Sequence, residues 1–351
     1  MDPNFWKGKK VYLTGHTGFK GSWLSLLLNR LGAEVYGYAL SPPTNPSLFE
    51  QAEITKEISS TIGDVRNLDN LKKSLTDFQP EIVLHLAAQS LVRESYTDPV
   101  STFETNILGT VNILEAVRSL QSVKALIIVT SDKCYKNKEQ NNGYVETDEL
   151  GGHDPYSNSK ACAELVIDSY QSSFFTSLKN INIASVRAGN VIGGGDWATD
   201  RLIPDLMRSF INNQETEIRN PDAIRPWQHV LEPLSGYLLL AENLASTHEF
   251  SGAWNFGPDF LDAKPVAWIA NELTQRWGSD ARWILDDKDH LKETHTLHLD
   301  SSKARNKLGW TPRLHLDQAL GWTLDWYKAF SRNESMQSFT ESQIQQYLEM
   351  E

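Results

Sequence analysis

The chain has 351 residues, 40% hydrophobic and 22% charged, which suits a soluble globular protein of one large or two ordinary domains. A formal net charge of -12 excludes a general nucleic-acid or anionic-membrane surface, so an anionic ligand would need a local basic pocket. The two cysteines, Cys134 and Cys162, are too few for a disulfide framework or a zinc cluster, and no metal is expected.

The opening stretch Met1 to Lys10 is polar and carries no signal-peptide pattern. No apolar run nears the ~20 residues of a membrane span, so a cytoplasmic protein without membrane partners is expected. Val11 to Thr14 reads as a short apolar strand that runs into Gly15-His16-Thr17-Gly18-Phe19-Lys20-Gly21, followed by a helical pattern from Ser22 to Leu31. Gly15 permits a tight turn, Gly18 lets backbone approach a pyrophosphate, and Gly21 lets helix pack against strand. The helix N-terminus then faces the phosphates. A second strand covers Glu34 to Leu40 and ends in Tyr38-Ala39-Leu40-Ser41. No acid and no arginine stands there, so these residues leave NAD and NADP both open.

Ile58 to Ile62 alternates like a strand and ends at Gly63-Asp64-Val65. Asp64 is placed to accept from an adenine amino group if this strand lies near the first; a turn-forming Gly-Asp reads equally well. Leu68 to Phe78 is helical. Ile82 to Leu86 is a buried-type strand ending in Leu86-Ala87-Ala88-Gln89, where small residues let a ribose and a nicotinamide pass close to the backbone. Pro99 to Leu120 reads as one long helix with Asn106 inside it, and a mid-helix asparagine competes with the backbone and needs a reason. Ala125 to Thr130 is the next strand, and Ser131-Asp132-Lys133 stands at its carboxyl end, where doubly wound sheets bind ligands.

Asp154-Pro155 reads as an N-cap and a first-turn proline opening the helix that carries Tyr156 and Lys160. Four residues apart, the two side chains share one face. The ammonium and the positive helix end both favour phenolate, which would make Tyr156 a base toward a sugar hydroxyl. Ile183 to Arg187 is a sixth strand. Strand and helix alternate to this point, so the fold class is α/β, a doubly wound parallel sheet. Residues 1–188 are read as a dinucleotide-binding domain. Residues 189–351 are read as a smaller substrate domain, partly interleaved with the sheet around 228–250. The polar end from Arg332 shows no chemistry.

Gly15, Gly18, Gly21, Asp64, Leu86-Ala87-Ala88, Asn106, Ser131, Tyr156 and Lys160 occur in one order on this scaffold. Together they resemble the extended short-chain dehydrogenase/reductase family acting on nucleotide sugars. The resemblance covers nearly the whole chain. It implies bound NAD, contacted by Gly15, Thr17, Gly18, Phe19, Gly21, Asp64, Val65, Leu86, Ala87, Ala88, Asn106, Tyr156 and Lys160. It implies Tyr156 and Lys160 as the catalytic pair, with Ser131 positioning the sugar. Gln89, Asn190, Arg201 and Arg225 match substrate positions, and an arginine fork suits a diphosphate. A homodimer or homotetramer is also implied, with the faces of the Pro99–Leu120 and Tyr156 helices as a four-helix interface or as ordinary packing on the sheet.

The family holds epimerases, decarboxylases and 4,6-dehydratases. Thr130-Ser131-Asp132-Lys133-Cys134-Tyr135 resembles the dehydratase branch and implies a cytidine-diphosphate-linked glucose as substrate, in deoxysugar biosynthesis. Asp132 would be the acid toward the C6 hydroxyl, which an epimerase does not need. Lys133 stands where the usual dehydratase has glutamate, so it is expected to be the C5 base or to stabilise the enolate. A nucleotide-sugar 4-epimerase or reductase on the same fold and a dinucleotide-sensing regulator are the competing readings. His295 and His298 read as surface or packing residues, and Trp197, Trp227 and Trp254 as core or pocket residues.

Overall fold

The computed structural model describes residues 1–140, 142–176, 181–278, 281–286, 288 and 297–350. Seven parallel strands form the central sheet: β1 (Lys10–Thr14), β2 (Glu34–Ala39), β3 (Ser59–Ile62), β4 (Ile82–His85), β5 (Ala125–Val129), β6 (Asn182–Ala188) and β10 (Gly252–Phe256), in the order β10-β6-β5-β4-β1-β2-β3. The order reverses between β1 and β4, and outside that switch point lies the ligand crevice of an open α/β sheet. Alternate side chains feed two cores. Val11, Leu13, Leu84 and Ile127 pack on one face, and Tyr12, Val83, Leu126 and Ile128 on the other.

The six expected strands are all present. The seventh, β10, comes from the later part of the chain, just past the interleaving expected around 228–250. It follows the buried helix Leu231–Leu244 and pairs with β6 from Gly252↔Ala184 to Phe256↔Ala188. A second sheet joins β11 (Ala263–Pro265), β9 (Ile224–His229) and β7 (Asn190–Ile192), and the pair β8 (Glu215–Ile218) and β12 (Arg282–Leu285) stands apart.

The helix expected over Pro99–Leu120 is interrupted. Pro99–Phe103 passes into a π-helical turn, Glu104–Leu108, before Gly109–Arg118 resumes as α-helix. Such turns often mark functional sites, and Asn106 sits inside this one. The terminal segment is a helix, Met336–Glu349, which buries Met336, Ile344 and Tyr347. Glu232 ties this end of the chain down: its carboxylate accepts from the Arg313 and Leu314 N–H groups and from the Tyr347 hydroxyl at 3.0 Å.

Candidate active site

The glycine turn is built as its spacing predicts. Gly15 has φ +78, and a Cβ there would stand 2.7 Å from the Ala87 nitrogen. A Cβ on Gly21 would overlap the Gly15 carbonyl. Gly18 is the N-cap of the helix Phe19–Arg30 and supplies no side-chain cap, so first-turn N–H groups remain for a ligand. The Thr14 hydroxyl accepts from the Leu86 and Ala87 N–H groups, each at 3.1 Å, which fixes the end of β4 beside the turn. This narrow, uncapped cradle fits a dinucleotide pyrophosphate. Thr17 donates to the Leu40 carbonyl at 2.9 Å and closes the end of β2. Phe19 reaches toward Gly193 and Val230 of the later half.

Asp64 and Val65 lie at the end of β3, at the far edge of the crevice. The Asp64 carboxylate is forked by the Arg66 guanidinium, whose hydrogen bonds hold it below the usual carboxylate range. Val65 is buried against Gly109. Asn106 has the reason its place in a helix demands. Its side chain accepts from the Gln89 N–H and donates to the Gln89 carbonyl and the Ser159 hydroxyl, all at 2.9 Å. It thus braces the loop after β4 against the Tyr156 helix. The Gln89 amide is spent within that loop, donating to Leu91 O and Thr102 Oγ1 and accepting from Leu91 N.

Asp154 caps the helix Pro155–Tyr170 by accepting from the Ser157 N–H at 2.9 Å, with proline in its first turn. Tyr156 and Lys160 are buried on one face, as expected. The Ser131 hydroxyl lies near the Tyr156 phenol and acts to lower its pKa. The expected bias toward phenolate is reversed in this structure. Burial pushes the phenol up to about 12, which outweighs the help of Ser131 and Arg201, while Asp132 and Asp154 raise it further. Lys160 donates to the Val129 carbonyl at 3.2 Å, and burial pulls its ammonium down to about 8 against the Glu164 carboxylate.

Ser131 to Lys133 opens a 3-10 turn, Asp132–Cys134, at the end of β5. Asp132 is 4% exposed and accepts from the Ser131 hydroxyl at 3.0 Å. Burial raises its pKa, and Lys133, Ser131, Arg225 and Lys20 oppose the shift. A buried carboxyl with a raised pKa is suited to donate a proton. Lys133 is half-buried beside it.

The later half closes the crevice. Arg201 is bound to Asp196 at 2.9 Å and to the Ser90 hydroxyl at 3.0 Å. Asn190 on β7 pairs with Trp227, and Arg225 on β9 acts electrostatically on Asp132. Trp197 packs among Trp326, Tyr327 and Phe330, and Trp227 and Trp254 are also buried, so all three belong to the core. His298 is buried beside Phe260, and His295 lies outside the described residues.

Three features went unread in the sequence. Lys20, inside the glycine motif, faces Arg201, Asp132, Lys160 and Asp196. Asp196 holds Arg201. The third is a buried network behind the acid turn. There Glu164 binds Arg187 at 2.8 Å and 2.9 Å, and accepts from Thr130 and Ser185. Arg187 donates to the Tyr135 hydroxyl, which donates to Asn255 on β10 at 2.8 Å. Glu164 is two helical turns beyond Tyr156 on the same face, which is the one signal the spacing offered.

Tyr156, Lys160 and the buried Asp132 thus gather near Lys20 of the glycine turn, at the carboxyl ends of an open α/β sheet. The family model of GDP-mannose 4,6-dehydratase matches residues 13–321, and the chain belongs to that family. The CDP-glucose 4,6-dehydratase of Salmonella typhimurium is 53% identical over 99% of this chain and 98% of its own. The CDP-paratose 2-epimerase of Salmonella typhi is 24% identical over 90% of this chain and 98% of its own. Among solved structures, the dTDP-glucose 4,6-dehydratase of Bacillus anthracis in complex with NAD has a TM-score of 0.76 at 19% identity, over 94% of this chain and 98% of that one. The UDP-glucuronic acid 4-epimerase of Bacillus cereus, with UDP-glucuronic acid and NAD, has a TM-score of 0.79 at 23% identity, over 92% of this chain and 99% of that one. These two likenesses speak for the fold.

Proposed function

We propose that this chain removes water from CDP-D-glucose to give CDP-4-dehydro-6-deoxy-D-glucose, with NAD held at the Gly15–Gly21 turn. The observation that carries the reading is Asp132, a carboxyl 4% exposed whose pKa is raised by burial, next to the Tyr156–Lys160 pair. An epimerase has no use for such an acid. The 53% identity to the Salmonella typhimurium enzyme supports the cytidine nucleotide, and the NAD complexes among the structural neighbours support the cofactor.

A nicotinamide held at the Gly15–Gly21 turn would supply a reversible acceptor for the C4 hydride. Tyr156, as the phenolate it must reach against its own burial, takes the proton of the C4 hydroxyl, with Ser131 holding the sugar oxygen. Lys160 orients the phenol end of the helix through its bond to Val129 O. The C4 ketone acidifies the C5 proton, and Lys133, in its neutral form, removes it. The electron pair of the C5–H bond becomes the C5–C6 double bond as the C6–O bond breaks. The proton of Asp132 leaves with that oxygen as water. Afterwards C6 regains a hydride and C5 a proton. Asn190, Arg201 and Arg225 hold the diphosphate in this reading. Residues 1–188 carry the dinucleotide and 189–351 the nucleotide sugar, with the helix Leu231–Leu244 and β10 returned to the first sheet.

Tyr96, Val100, Leu108, Leu165 and Phe174 are exposed apolar residues on the segments 92–118 and 155–175. We assign this patch to a homodimer interface. Light scattering of the wild type against Leu165→Glu tests it, a dimer in both refuting the assignment. Free Cys134 and Cys162 agree with a cytoplasmic setting, and no helix among the described residues is long and apolar enough to cross a membrane. Turnover of CDP-, UDP-, GDP- and dTDP-glucose, followed by NMR of the sugar product, tests the main reading. A 4-epimer as product, or preference for another base, overturns it.

A further inference from the structure

Asp196 is 4% exposed, and its surroundings leave it little freedom. It sits in Gly193-Gly194-Gly195-Asp196-Trp197, a loop pinned from three sides. The Trp23 indole donates to the Gly194 carbonyl at 2.9 Å, and a Cβ on Gly194 would overlap the Trp326 ring. The Tyr327 hydroxyl donates to the Asp196 carbonyl. One carboxylate oxygen accepts from the Ala198 N–H at 3.2 Å, and the other takes Arg201 Nη1 at 2.9 Å. The second amino group of Arg201 reaches across the crevice to Ser90 Oγ at 3.0 Å.

The backbone between the two residues is unusual. Asp200 has φ +61, a left-handed conformation that a non-glycine residue holds only when its surroundings enforce it. Its carboxylate is gripped by Arg219 at 2.9 Å and Arg93 at 3.3 Å. Arg201 thus follows a fixed corner, and its side chain is clamped at both amino groups. The clamp bonds occupy two of five guanidinium N–H groups, leaving three for an anion.

We propose that Asp196 is a positioning residue for nucleotide-diphosphate binding, acting through Arg201. It pre-aims the guanidinium so that substrate does not have to order it. This rests on the nucleotide-sugar reading above and names the device that sets its affinity. A freely rotating arginine would lose rotamer entropy on each binding event, and a clamped one has lost it on folding.

The test is a double-mutant cycle on Asp196→Asn and Arg201→Ala, read as KM and kcat for CDP-glucose and as the dissociation constant of CDP by calorimetry. Asparagine keeps the shape of aspartate in this buried position. Asp196→Asn alone should raise KM and the CDP dissociation constant about 10-fold, the scale of one charge-assisted hydrogen bond, with kcat within about 3-fold. In the Arg201→Ala background the same change should alter neither by more than about 2-fold, because its only route of action is gone. Equal penalties in both backgrounds, or a fall in kcat with KM unmoved, overturn the proposal. If Asp196→Asn does not fold, Asp196→Ser replaces it at both corners of the same cycle, with the same expected and overturning results. Should the wild type bind UDP or GDP in place of CDP, the cytidine reading fails, and the cycle is scored on that diphosphate.

Discussion

Replacing Asp132 with asparagine separates the two halves of the reaction. The amide keeps the volume of the carboxyl, which lies where a Cβ on Gly189 would be 3.1 Å from its oxygen. It can still accept from Ser131 Oγ, now at 3.0 Å from the carboxylate oxygen. The stability cost should therefore be that of a slightly altered hydrogen bond, about 1 kcal/mol. What is lost is the transferable proton. General acid catalysis is worth about 10²- to 10⁴-fold, or about 3 to 5 kcal/mol of barrier, well above any structural penalty. Mixed with CDP-glucose, the Asp132→Asn protein should build up reduced nicotinamide absorbance while release of the 4-keto-6-deoxy product falls by that factor. The pH profile carries the same signature. Asp132 works protonated and its pKa is raised by burial, and Lys160 works as a cation with its pKa drawn down to about 8. Both forms are lost as pH rises while the Tyr156 phenolate, needed for C4 oxidation and with its pKa pushed up to about 12, is gained, so elimination should weaken relative to oxidation on the alkaline side. Product formation within tenfold of wild type, or no accumulation of the reduced nicotinamide, would refute the assignment of Asp132 as the C6 acid.

Lys133→Ala should stop exchange of the C5 proton with deuterated solvent while C4 oxidation continues; exchange at the wild-type rate would show that another group is the base. Arg187→Met strands Glu164, which is buried, without its cation. The variant should lose about 3 to 5 kcal/mol in urea unfolding, and adding Glu164→Leu should recover most of it; additive losses would refute the pairing. Hydrogen bonding to Arg187 holds Glu164 below the ordinary glutamate range despite burial. That stability is present above the ordinary glutamate pKa and is lost as pH falls through the lowered value. Gly21→Ala forces a methyl onto the Gly15 carbonyl and should abolish NAD binding by calorimetry; binding within tenfold of wild type would remove the cradle from the cofactor site.

The parts of this site set by local chemistry could be read from the sequence. Glycine spacing gave the turn, Asp154-Pro155 gave the helix start, and the four-residue step put Tyr156 and Lys160 on one face. Position at a strand's carboxyl end singled out Ser131, Asp132 and Lys133. What could not be read depends on partners distant in the chain. Asn106 gained its meaning only once Gln89 and Ser159 were beside it. β10 is a short run, Gly-Ala-Trp-Asn-Phe, without the alternation of a half-buried strand, because as part of a parallel sheet it is covered by helices. The phenol of Tyr156 was misjudged for a related reason. Spacing shows the neighbouring ammonium, whereas desolvation depends on every element that covers the ring, and here desolvation is the larger effect.

The missed strand bears on the chemistry. The hydride half of the site rests on the Pro155–Tyr170 helix and the ends of β1 and β4, all within the first domain. The elimination half rests on the three-residue turn Asp132–Cys134, too short to hold its own geometry. Its next residue, Tyr135, is 1% exposed, and its hydroxyl is fixed by Arg187 Nη1 at 2.6 Å and by Asn255 Oδ1 at 2.8 Å. Asn255 in turn donates to Tyr144 O at 2.7 Å and Asp300 O at 3.1 Å. The acid and the candidate base are thereby registered against the later half of the chain, which also carries Arg201 and Arg225. On the proposed reading, a nucleotide sugar bound by those arginines is held by the same part of the chain that sets where Asp132 and Lys133 stand. On that reading the C5–C6 bond would be placed relative to its acid and base through the second half, and C4 relative to its tyrosine through the first. Movement between the halves would therefore disturb elimination and oxidation separately, and the Tyr135–Asn255 bond, backed by Arg187 and Glu164 on the first half, opposes that movement.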